Sequence, residues 1–264
     1  MATGPATVRR PGHVLVVGNL KGGSGKSTLV MNLACAMAAT GRRVAIMDCD
    51  PQGTAVSWAS RGTAPVRVYA EPLRNLDHAL DWLDRTDWLR AGCDVLVIDL
   101  PAVIAPAMAA SFLIASVILI PAVPNAVDID GTRRVLTLLE TATRERVGWP
   151  PRAFLVPVRV REMEAGLEDW RSRLVRLGLP MTGPIRHASE FDMAYTMGSW
   201  VGAKFRGSRA NQELTLLTDR VLHEINLALP RPPTPLTQPA RTEPLPWWRR
   251  ALTLAQPWRA AFTG

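Results

Sequence analysis

The sequence predicts an α/β fold in which a predominantly parallel sheet carries helices on both faces. Three observations predict it. Short apolar, β-rich runs recur at 13–19, 43–48, 66–70, 94–99, 116–121 and 153–158. Segments with helical periodicity lie between most of them, for instance at 26–40, 73–90 and 128–146, and a further one spans 162–178. Strand alternating with helix gives a parallel sheet covered on both sides, with ligands held where the loops gather at the carboxyl ends of the strands. The third observation is the uncharged stretch from Leu100 to Ala126. It is long enough to span a membrane. However, Pro101, Pro106, Pro121 and Pro124 divide it into a short helical run near 107–115 and the β-branched run SVILIPA. A buried helix followed by a central parallel strand explains both pieces.

The remaining elements follow in order. Residues 1–12 read as a flexible N-terminus, 13–228 as one domain closed by a helix near 208–228, and 229–246 as a linker. Seven prolines in the 17 residues 230–246 prevent regular structure there. In 247–264, Trp248, Leu252, Ala255, Trp258 and Phe262 recur every three or four residues, opposite Arg249, Thr253, Gln256 and Arg259. That is the pattern of an interfacial amphipathic segment, interrupted by Pro257.

Composition narrows the chemistry. The formal net charge of +8 over 264 residues favours polyanionic partners such as nucleic acid or anionic lipid. Cys35, Cys49 and Cys93 form no CxxC pair, and the four histidines have no ligand spacing. The cysteines therefore read as small buried residues of a reducing compartment. Nothing at the N-terminus resembles a secretory signal. Only three residues are lysine (Lys21, Lys26 and Lys204), and two of them lie in the run GNLKGGSGKST, which begins at Gly18. Such a concentration suggests that the ammonium group itself is needed there.

A strand ending near Asn19, a glycine-rich turn and a helix starting near Gly25 form the setting of a phosphate loop. Backbone N–H groups from Gly22 through Gly23, Ser24 and Gly25 to Lys26 would surround a β-phosphate at the positive end of the helix. Lys26 would reach the β- and γ-oxygens, Ser27 would ligate Mg²⁺, and Thr28 completes the loop. The pattern GxxxxGK[ST] is missed at one position, where Leu20 stands in place of glycine.

The variant KGGSGKST resembles the deviant Walker A motif of the ParA/MinD family of ATPases. The resemblance implies a P-loop NTPase fold, ATP and Mg²⁺ as ligands, and an ATP-dependent homodimer in which Lys21 contacts the nucleotide of the opposite subunit. A cation supplied in trans would stabilise phosphoryl transfer as an arginine finger does. IMDCDPQGTA at 46–55 is similar to the family's DxDPQG motif. It implies that Asp50 orients the attacking water and joins Ser27 and Asp99 at the metal, with Asp48 near the metal shell. An acidic turn capping a helix at Thr54 is the plainer reading of the same residues. DVLVIDLPA at 94–102 resembles the Walker B strand, which places Asp99 on Mg²⁺ through water.

The likeness extends more loosely to about residue 228. Two departures stand out: Leu100-Pro101-Ala102 follows Asp99, and VPVRVRE occupies the stretch after the sixth strand, where the family often reads adenine with asparagine. Paired cluster cysteines and tyrosine clusters are missing, which sets the chain apart from the iron-protein and tyrosine-kinase branches. With the loop only 20 residues in, no helix-turn-helix domain is expected ahead of it.

The expected function is therefore slow, partner-stimulated ATP hydrolysis that positions DNA or a protein cargo. Nonspecific DNA would bind the ATP dimer through Arg186, Lys204, Arg206 and Arg209, with Arg159 and Arg161 as further basic residues. The alternative is a MinD-like ATPase attached to anionic membrane through 247–262. The expected location is cytoplasmic, on the nucleoid or at the inner face of the membrane.

Overall fold

A computed structural model describes residues 11–146, 149–160 and 170–228 of the chain. Arg161, the linker at 229–246 and the segment at 247–264 lie outside the described residues.

Seven parallel strands form one sheet in the order β3-β2-β4-β1-β5-β6-β7. They are β1 (His13–Val17), β2 (Val44–Asp48), β3 (Arg67–Ala70), β4 (Val95–Asp99), β5 (Val117–Ala122), β6 (Arg152–Val160) and β7 (Ile185–Arg186). Side chains alternate between the two faces of each strand. Leu15 and Val17 pack with α1 (Lys26–Ala39), α2 (Thr54–Ser60) and α9 (Arg209–Leu227), whereas Val14 and Val16 pack with α3 (Ala79–Ala91), α4 (Pro106–Ile114) and α5 (Ala126–Glu145). Both faces are thus apolar and covered, which is why the strands read as unbroken hydrophobic runs.

The uncharged stretch becomes α4 and β5, every residue of both being buried. No helix among the described residues is long and apolar enough to cross a membrane. Cys35, Cys49 and Cys93 are buried and unpaired with one another.

Several boundaries move for local reasons. The segment predicted as helical from residue 73 begins with a 3-10 turn at Leu76–His78, because the Asn75 side chain accepts from the Asp77 N–H and delays α3. Asn125 caps α5 in the same way, through the Asp128 N–H at 2.9 Å, and the helix starts before Asp128. Of the helix predicted over 162–178, α6 (Trp170–Val175) falls within the described residues. Two short helices, α7 (Ser189–Thr196) and α8 (Val201–Lys204), complete the carboxyl half.

Candidate phosphate site and basic face

The strand order reverses at β1, whose neighbours are β4 and β5. Ligands of open parallel sheets sit at such a reversal, beyond the carboxyl ends of the strands. Three sequence motifs meet there. Val17 lies in register with Asp99, and Asp48 with Asp99, so the ends of β1, β4 and β2 stand side by side.

Residues 18–25 form the turn between β1 and α1. Gly23 and Gly25 are left-handed, with φ of 72° and 77°, a conformation that strains any residue carrying a Cβ. Gly25 is also the N-cap of α1 and provides no side-chain cap, leaving the positive end of a 14-residue helix open to an anion. No atom lies within 4 Å of where a Cβ would stand on Gly22 or Gly25. The turn therefore exposes donors without covering them. Ser24 is buried, with its hydroxyl unpaired.

Lys26 opens α1 and is 6% exposed. Its Nζ donates to the Lys21 carbonyl at 3.2 Å. Burial lowers its pKa, and the nearby Asp99 and Asp50 carboxylates partly offset that. Asp99 is fully buried, and neither carboxylate oxygen has a hydrogen-bond partner of good geometry. Burial raises its pKa to about 7, the neighbouring Ser27 hydroxyl opposes the rise, and the Asp48 charge adds to it. Unsatisfied buried oxygens beside a hydroxyl at a helix start suit a hydrated divalent cation.

The buried carboxyl has a consequence for stability. An aspartate titrates near 3.9 when unfolded, so between about pH 4 and 7 the folded state binds the extra proton. Stability then falls as pH rises through that window, and the cost is complete above it. Asp99→Asn should raise the Tm of nucleotide-free protein by about 10 °C at pH 8 and leave it unchanged at pH 4. Equal melting temperatures of the two proteins at pH 8 would show that Asp99 carries no such cost.

Of the two readings of the acidic turn, the capping contacts are seen directly, and Asp48 makes them. Its Oδ1 accepts from the Asp50 N–H at 3.1 Å, and its Oδ2 accepts from Ala55 and Val56 N–H at 3.0 and 3.1 Å. Asp48 is the carboxylate that caps α2 from the end of β2, in place of the side chain that Gly53 lacks. Its charge also raises the pKa of Asp99, and its bond to the Asp50 N–H shapes the loop. Asp50 is half-buried, its Oδ1 accepting from Gln52 N–H at 2.9 Å and its carbonyl from Gly53 N–H at 2.9 Å. Those bonds fix the loop, and among the described residues nothing bonds to Oδ2.

Lys21 is half-buried at the front of the turn, and its Cβ lies 3.9 Å from where a Cβ would stand on Gly131 in α5. No ion pair or side-chain hydrogen bond involves it among the described residues.

The four residues predicted to contact DNA, Arg186, Lys204, Arg206 and Arg209, separate into two kinds. Arg186 and Arg209 both pair with Glu213, which also accepts from the Arg186 N–H, so one carboxylate offsets two guanidinium groups. Lys204 and Arg206 are exposed and have no ion pair among the described residues. Sequence reasoning missed Glu213, because it stands apart from every motif. It also missed Asn32, which anchors the Lys204 helix. Asn32 Oδ1 accepts from Val201 N–H at 2.9 Å, and its amide donates to the Thr28 carbonyl at 2.8 Å. An amide side chain buried in an otherwise apolar helix was the available signal.

Backbone N–H groups without partners among the described residues, around a buried ammonium and with an unsatisfied carboxylate behind them, suit a polyphosphate and its cation. Presented at the reversal point of a parallel sheet, they define a phosphate-loop nucleotide-binding protein. Residues 15–199 match the family described as the CobQ/CobB/MinD/ParA nucleotide binding domain. The chain belongs to this family.

Among relatives, the maintenance of carboxysome distribution protein A of Halothiobacillus neapolitanus is 28% identical over 213 residues, covering 79% of this chain and 95% of that protein. Its namesake in Gloeobacter kilaueensis is 34% identical over 171 residues, covering 64% of this chain and 73% of that protein. In fold, the MinD cell division protein of Aquifex aeolicus superposes with a TM-score of 0.65 at 18% identity, covering 80% of this chain and 97% of that one.

Proposed function

We propose that this ATPase dimerises on ATP, hydrolyses it slowly, and positions DNA or a protein cargo while bound to nonspecific DNA. One observation carries the reading. Lys21 stands half-buried at the front of the phosphate loop with no anionic partner in its own chain among the described residues, while Lys26 already supplies the loop's own cation. A second copy facing the first would bring Lys21 a phosphate and Lys21's charge a purpose.

The roles then follow. Backbone donors from Gly22 to Thr28 hold the phosphates, and Lys26 neutralises them. Ser27, Asp50 and Asp99 would hold Mg²⁺, which would supply positive charge against the negative charge developing on the transferring group. Asp50 orients water from a loop that Asp48 keeps in shape. The names of the carboxysome-distribution relatives support a positioning role. A stimulating partner or cargo adaptor belongs to the same reading, as does a cytoplasmic location on the nucleoid. The MinD-like, membrane-attached alternative rests on 247–262, outside the described residues.

Nonspecific DNA binding is assigned mainly to Lys204 and Arg206, with Arg186 and Arg209 weakened by their shared Glu213. Each phosphate contact releases about one counterion, so affinity should fall steeply with salt. Replacing Lys204 and Arg206 by alanine should reduce the log–log salt slope by about two per protomer, uniformly across DNA sequences. Replacing Arg186 should change it less. Filter binding of the ATP-loaded protein over a salt series measures both. Retention of the wild-type slope by the double variant would remove this face from the function.

A further inference from the structure

Arg159 is the single described residue other than glycine with a left-handed backbone, at φ 52°. It lies at the carboxyl end of β6, where the pairing with β7 shifts register between Val158 and Val160. Glycine takes this conformation freely and asparagine more readily than arginine does, so the side chain is retained against a backbone cost. Strain of this kind is found where the surrounding structure holds a residue for a purpose.

The side chain's position suggests the purpose. Arg159 is exposed, and its Nη1 lies 3.9 Å from where a Cβ would stand on Gly23. The guanidinium thus reaches across the reversal point to the tip of the phosphate loop. It also borders a cavity of about 80 Å³ whose lining includes Gly25, Thr28, Leu29, Arg186 and Asp192, the last not ion-paired with Arg159 among the described residues. No carboxylate among the described residues pairs with it, in contrast to neighbouring Arg186, which Glu213 neutralises. A guanidinium with no ion pair among the described residues, lying next to the loop's backbone donors, can share one anion with them.

We propose that Arg159 is a phosphate ligand of the nucleotide held by the loop, a cation supplied from the end of β6 in addition to Lys26. The proposal rests on the nucleotide reading above. A guanidinium forks onto two phosphate oxygens, whereas an ammonium contributes charge alone, so lysine would serve in part. Stacking of the same guanidinium on the base is the competing role, and the test separates the two.

The experiment uses the full-length protein, with ADP and GDP titrations and melts of the nucleotide-free form for wild type, Arg159→Gly, Arg159→Lys and Lys26→Ala. Arg159→Gly should raise the Tm of the nucleotide-free protein by about 2–4 °C, because glycine relieves the left-handed backbone. The same variant should weaken ADP and GDP alike by about tenfold, the worth of one charge-assisted contact. Arg159→Lys should recover part of that loss. Wild-type affinity in Arg159→Gly, or a lower Tm, would overturn the proposal. So would a changed ADP-to-GDP ratio without rescue by lysine, which would place the guanidinium on the base. Lys26→Ala tells the two readings apart. If wild type binds nucleotide and this variant does not, the site stands whatever Arg159 does. If wild type binds none, the site reading itself fails.

Discussion

In the Asp50→Ala variant, ATP turnover is expected to fall by about two to three orders of magnitude while ATP still binds and the dimer accumulates. The geometry makes the effect specific. The carboxylate of Asp50 is held by one backbone donor, Gln52 N–H, which leaves its second oxygen for a water. The loop's turn is closed independently, through Gly53 N–H to the Asp50 carbonyl, and its helix is capped by Asp48. Alanine keeps that carbonyl, so the loop should hold its shape and the phosphate contacts should persist. Phosphate release under saturating ATP measures the first part, and size-exclusion chromatography with light scattering measures the second. Wild-type turnover in this variant would move the catalytic assignment to another residue. Reduced turnover caused by lost ATP binding would show that Asp50 acts on affinity.

Lys21→Ala should abolish ATP-dependent dimerisation and leave a monomer that binds ATP. The Lys26 ammonium bonds to the main-chain oxygen of residue 21, which the substitution retains. Among the described residues the Lys21 ammonium has no partner of its own, so its removal strands no buried charge in the monomer. A contact made only across two chains is lost only from the dimer. Light scattering with a nonhydrolysable analogue, paired with a nucleotide titration, separates the two effects. Normal dimerisation would refute the cross-subunit role. Loss of nucleotide binding would instead place Lys21 in the loop of its own subunit.

Both variants test residues that were legible from the sequence, and the reason lies in how local their chemistry is. Two left-handed glycines, an uncapped helix start and a lysine at its first position lie within one short run. Backbone requirements of that kind leave a mark in consecutive residues. The central strands β1, β2, β4 and β5 were legible because burial on both faces leaves their interiors apolar. Asp99 could be placed at a strand end for the same reason, since it terminates such a run.

The sequence by itself therefore determined the layered parallel fold, the phosphate loop with its two lysines, and the strand-end carboxylate. Only the tertiary structure decided how these are completed. Asp48 became a helix cap because the end of β2 points at the first N–H groups of α2. Glu213 on α9 neutralises Arg186 on β7, which removes charge from a face that composition alone would count as basic. Arg159 meets Gly23 because the strand order brings the end of β6 toward the loop that follows β1. Such pairings join residues far apart in the chain. They depend on strand order and crossover path, which local propensity and motif spacing do not encode.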